Sequence, residues 1–218
     1  MPYSAGSDAW YDTDKNEINR IGEVQRMKWK TVVKWLGMIC LLAGIARMGM
    51  TPSALIWGTD SDQELTFGFI ACVLMSVGTI GAYMVQSRET GIIGFIATLL
   101  VTVGNIIVTC LVWSVFALGD LATEQTGMFI TISRTIGIFG TMLGTLMFAI
   151  VTFRAKVFPR WIVVLHLMML GSIILDEWFA LFWGLSYVGM GYLIWTGKYA
   201  QPSAVERKTV VFGTDSHY

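Results

Sequence analysis

Hydrophobic positions run in long blocks along this chain, broken by short polar stretches. Residues 162–195 set the pattern. They read IVVLHLMMLGSIIL, then Asp176 and Glu177, then WFALFWGLSYVGMGYLIW. As a single helix this run would be roughly 50 Å long, against a hydrocarbon core of ~30 Å. It must therefore fold back, which makes the acidic pair the tip of a transmembrane hairpin. Four more apolar blocks precede it, at about 31–50, 66–86, 92–118 and 128–153. The connectors are TPSALIWGTDSDQEL, QSRETG, GDLATEQTG and FRAKVFPR. The pattern predicts an all-α bundle of six transmembrane helices within residues 31–198, with a polar leader over 1–30 and a polar tail over 199–218.

The leader is expected to be disordered up to about residue 15. After that, Ile18, Ile21, Val24 and Met27 recur every third residue among polar side chains. That spacing suits a short amphipathic helix on the membrane surface. Trp29 and Trp35 follow as interface anchors.

Composition agrees with a membrane protein. The 218 residues are 55% hydrophobic and 14% charged, and mean hydropathy is +0.63. So little charge is uncommon in a soluble domain. The formal net charge is zero, so no global field favours nucleic acid. The first 30 residues contain acids and lack the short basic segment and apolar core of a cleavable signal.

Charge placement orients the chain. Lys and Arg fall in the leader, at Arg88, at Arg154, Lys156 and Arg160, and in the tail from Lys198. The other three connectors contain none. Under the positive-inside rule this predicts a multi-pass plasma (inner) membrane protein with both termini cytoplasmic. Arg47 and Arg134 are left over, inside the first and fourth spans and on the outer side. A charge within a span costs ~2.5–3.5 kcal/mol on insertion scales, so such residues turn inward and pair. Arg47, Arg134, Asp176 and Glu177 are therefore the candidate ligand or ion site.

A second candidate is a polar seam. Thr98, Thr102, Asn105 and Thr109 recur at steps of four, three and four, which puts them on one helix face. Arg134, Gly137, Thr141 and Gly144 form a matching seam on the next span. Small and hydroxylated residues at this spacing let helices approach closely, or line a polar path. His166 is the one histidine within a span, with Met168 and Met169 beside it. It is the single candidate for a haem or pigment ligand, although a hydrogen-bonded structural role needs less from its surroundings. Phe179, Phe182 and Trp183 cover one face near the outer surface, as an interface belt or a contact for a partner. Cys40, Cys72 and Cys110 all lie in apolar blocks without CxxC spacing and read as small buried residues. Catalytic motifs are absent: there is no GxxxxGK[ST], HExxH or GxSxG. No catalytic residue, metal site or cofactor is expected.

GTIGAYMVQSR (78–88) and GTLMFAIVTFR (144–154) echo one another at the ends of two inward-running spans. The acidic first outer connector, the segments SRETGIIGFIATLLVTVGN and FRAKVFPRW, and the closing LFWGLSYVGMGYLIWTGK carry a resemblance over residues 31–198. The chain resembles a loose group of bacterial six-helix integral membrane proteins. That resemblance implies the bundle and transfers no catalytic residue. Sequence alone thus favours a non-enzymatic subunit embedded in the lipid bilayer, associating with itself or with a larger membrane complex. The alternatives are a small transporter or channel using the arginine–acid cluster, and a redox or pigment-binding subunit using His166.

Overall fold

A computed structural model describes residues 7–119, 127–171 and 178–200. They form five helices: α1 (Ser7–Trp57), α2 (Asp62–Leu118), α3 (Met128–Ala155), α4 (Arg160–Gly171) and α5 (Phe179–Thr196). No strand occurs among the described residues. Among the described residues, four helical segments are long and apolar enough to cross a membrane: Gly22–Trp57 within α1, then α2, α3 and α5. Asp176 and Glu177 lie outside the described residues.

Helix α2 is two arms. Gly91 sits at φ 54°, ψ −142°, outside helical space, and divides the helix. No side chain but hydrogen tolerates that combination without strain. The arms then run antiparallel. Tyr83 packs on Phe95 with ring centroids 6.0 Å apart, Thr102 Oγ1 donates to Ser76 O at 3.5 Å, and Phe69 packs on Trp113 at 6.0 Å. The sequence reading placed a turn over QSRETG. The structure keeps helix through Thr90 and reverses at one residue. Local capping accounts for part of this, because Thr90 Oγ1 donates to Gln86 O at 2.9 Å.

The connector between α1 and α2 is also shorter than expected. TPSALIW was read as loop, yet α1 continues to Trp57 with Pro52 inside it. Pro52 removes one backbone donor. Ser53 Oγ donates to Gly49 O at 2.8 Å in the same turn. In lipid a helix is the conformation that satisfies the remaining backbone groups, and Leu55, Ile56 and Trp57 are exposed apolar side chains suited to it. The remaining connector is capped: Ser61 Oγ accepts from Glu64 N, and Glu64 Oε2 accepts from Asp60 N at 2.7 Å. Residues of the leader and of the first span share one continuous helix.

Close packing uses glycine. Gly37, Gly44, Gly184 and Gly191 set α1 against α5 in antiparallel register, with Gly44 facing Gly184 and Val188. Gly78 and Gly81 set the first arm of α2 against α1 at Cys40 and Leu36. Gly104, Gly137 and Gly144 set the second arm against α3, facing Thr141, Ile107 and Val101. Helices α4 and α5 also pack antiparallel: the His166 ring stacks on Tyr187 at 5.8 Å, and Gly189 faces Trp161. The core between these layers includes Cys40, Met75, Phe148, Tyr187 and Met190. Ala200 N donates to Val157 O at 3.0 Å, which ties the segment after α5 to the α3–α4 turn.

Candidate functional site

Every helix contributes to the bundle interior, and polar side chains there face a simple constraint. A buried donor or acceptor without a partner costs about 1–3 kcal/mol. Most hydroxyls avoid this by bonding the carbonyl one turn back. Thr98 donates to Gly94 O at 2.8 Å, and Thr109 to Asn105 O at 2.8 Å. Thr102 reaches Ser76 O across the arms, as described above. These seam threonines are thus satisfied.

Asn105 and Thr141 are not. Asn105 is fully buried, and among the described residues neither its Nδ2 nor its Oδ1 has a hydrogen-bond partner. Thr141 Oγ1 is likewise buried and unpartnered. Both residues line one cavity of about 280 Å³. Arg47 and Trp183 line it too, and Arg47 Nε and Trp183 Nε1 also lack partners. Four side chains that line this cavity thus carry five buried polar atoms without a partner among the described residues.

Arg47 is 5% exposed and held by several contacts. Its guanidinium carbon lies 4.3 Å from the Trp183 ring centroid and 5.1 Å from that of Phe179. Its Nη1 donates to Cys72 Sγ at 3.8 Å, and it feels the charge of Glu64. Desolvated cation–π contacts contribute ~2 kcal/mol or more. Two rings thereby offset much of the ~2.5–3.5 kcal/mol that a charge in a span costs. The guanidinium is held, yet one of its donors stays unused. Val108, Ile138, Met142 and Met169 complete the wall.

Arg134 is placed elsewhere. It is exposed and lines a separate cleft of about 370 Å³ between the second arm of α2 and the start of α3, with Cys110, Ser114 and Ser133. The two arginines therefore line different cavities. Trp57 ends α1 ten residues beyond Arg47, about 15 Å, whereas Arg134 is six residues from the start of α3, about 9 Å. Asp176 and Glu177 lie outside the described residues.

His166 is buried one layer inward. Its Nδ1 lies 3.3 Å from Ile162 O, so Nδ1 carries the proton and donates. Its ring lies between Tyr187 and Phe148, with centroids 5.8 and 6.0 Å away. Tyr187 Oη and Thr79 Oγ1 are 2.7 Å apart. Thr79 already donates to Met75 O at 2.7 Å, so Tyr187 is the donor to Thr79. Nearer the Gly91 end of the first arm of α2, Gln86 is fully buried, and among the described residues its amide atoms and the hydroxyls of Thr145 and Thr152 have no partner. Among the described residues, no group of three or more His, Cys, Asp or Glu side chains is placed to hold a metal ion.

No family model, curated protein or solved structure matches this chain. Function must therefore be argued from the site itself.

Sequence reasoning missed three parts of this interior. Cys72 read as a small apolar residue, but it accepts from Arg47. Trp183 read as part of an interface belt, but it is buried against the guanidinium. Gln86 was assigned to a turn. It was the one amide side chain at the end of the apolar block 66–86, and that was the available signal.

Proposed function

We propose that this is an integral membrane protein that binds a small solute inside its helix bundle, as a carrier does, at the cavity between Arg47, Asn105, Thr141 and Trp183. One observation carries this reading: four side chains that line a single cavity of about 280 Å³ carry five buried polar atoms with no partner among the described residues. A structural cluster would satisfy those atoms internally, as the seam threonines do. A ligand site leaves them for the ligand.

The fold reading that goes with it is six crossings: α1, both arms of α2, α3, α4 and α5. Arg88, Lys156, Arg160 and Lys198 gather at the end where Ala200 meets Val157, whereas Asp60, Asp62 and Glu64 lie at the α1–α2 connector. That segregation supports an inner-membrane protein with both termini cytoplasmic.

Thermal unfolding in a neutral detergent, with a panel of small anions, cations and neutral solutes, tests the binding. A true ligand at 100 times its Kd adds about 2.7 kcal/mol of stability, or roughly 5–10 °C. The increment should vanish in Asn105→Leu. A panel in which no class raises the midpoint would remove this reading.

The outer half of α3 supports a second reading, self-association within the membrane. Between residues 128 and 139 only Gly137 is buried, and Met128 and Phe129 are more than 80% exposed. Native mass spectra of gently solubilised protein should then show a dimer or higher species, and monomer alone would dismiss it.

A further inference from the structure

The chemistry of the cavity wall narrows what it accepts; this step rests on the ligand-binding reading above. Among the described residues, Arg47 supplies the only formal charge on the wall, and an arginine stays cationic in proteins. No acidic residue among the described residues lines the cavity. The unpartnered atoms are weighted toward donors. Arg47 Nε, Trp183 Nε1 and Asn105 Nδ2 donate only, Thr141 Oγ1 donates or accepts, and Asn105 Oδ1 alone is an obligate acceptor. A matching ligand head carries one negative charge and several acceptor lone pairs, and needs few donors of its own. A carboxylate has that inventory.

The rest of the wall is apolar. Val108, Ile138, Met142 and Met169 offer no charge, and Phe179 offers a ring. A volume of 280 Å³ holds roughly nine non-hydrogen atoms at the ~30 Å³ each occupies in liquid water. Nucleotides and sugar phosphates are too large and too highly charged for such a space.

We infer that the cavity binds a small organic monocarboxylate, its carboxylate toward Arg47, Asn105 and Trp183, and its short apolar body against Met142 and Met169. The shape series benzoate, benzamide and benzylamine isolates the charge, because the three differ chiefly in the polar group. Octanoate and palmitate separate a short water-borne carboxylate from a bilayer fatty acid.

Binding is read from the thermal midpoint and by isothermal titration, at pH 7 in a neutral detergent. Benzoate and octanoate should bind, with benzamide at least tenfold weaker and benzylamine silent. Arg47→Met should weaken benzoate about 30-fold or more, the loss typical of removing one partner of a buried charge pair. Thr141→Val keeps the shape and removes one hydroxyl, so it should weaken benzoate about threefold to tenfold and provides the test if the arginine variant does not fold. Benzamide or benzylamine binding as well as benzoate, with loss in Asn105→Leu, would overturn the anion assignment and leave the binding reading standing. Palmitate binding with benzoate and octanoate silent would overturn the small-solute assignment. Silence from every compound in this series and in the wider panel would overturn both readings.

Discussion

Gly191→Leu is expected to unfold the bundle or to lower its stability by about 3 kcal/mol or more. A Cβ at Gly191 would collide with the backbone nitrogen of Leu41 and lie 2.7 Å from Gly37 O. Neither is the movable end of a side chain, so α1 and α5 must separate. Separation also loosens Gly44 against Gly184, each seven residues farther along the same interface from Gly37 and Gly191. Helix association in lipid depends on such close contact, since lipid tails replace lost apolar contacts readily. Size-exclusion profiles of heated, detergent-solubilised protein measure this directly. A midpoint within about 2 °C of the parent would mean that α1 and α5 do not meet at these glycines. Gly22→Leu is the control, because nothing lies within 4 Å of a Cβ there.

Arg47→Met should act in the opposite direction on the unliganded protein. The substitution keeps a long side chain against Phe179 and Trp183 and removes a charge that, among the described residues, cation–π contacts, a thiol and a distant carboxylate hold. Replacing buried ionic groups by apolar ones of similar size is often neutral or stabilising by 1–4 kcal/mol. A rise of about 1–2 kcal/mol is expected, about 2–8 °C in the midpoint, together with the loss of ligand response. Retaining a destabilising charge is what a functional site does. A fall of more than about 2 kcal/mol would make Arg47 a structural anchor instead.

Much of the architecture was legible before any coordinates. Apolar blocks placed α1, both arms of α2, α3 and the α4–α5 hairpin, because hydrocarbon thickness fixes the length of a crossing. Asn105 and Thr141 were legible as members of facing seams, since helical spacing alone puts residues on a face. Depth was harder. Ending the first span at about residue 50 put Arg47 and Arg134 at one level, and the helical turns from Thr51 to Trp57 move them apart. Pro52 and the polar residues after it resemble a loop in any local reading, whereas satisfying backbone groups in lipid favours helix. The partners of Arg47 were least legible. Cys72 and Trp183 are 111 residues apart, and each looks like ordinary apolar packing until the helix rotations are known.

The pairing of α1 with α5 also governs when this molecule can finish assembling. The surfaces that meet, around Gly37 and Gly191, are separated by about 150 residues of chain. At 5–20 residues per second, a ribosome takes roughly 8–30 s to deliver the second after the first. For that interval the glycine groove of α1 must rest against lipid or an insertion factor. Stalled or shortened chains would therefore display an uncovered notch, which membrane quality control could recognise.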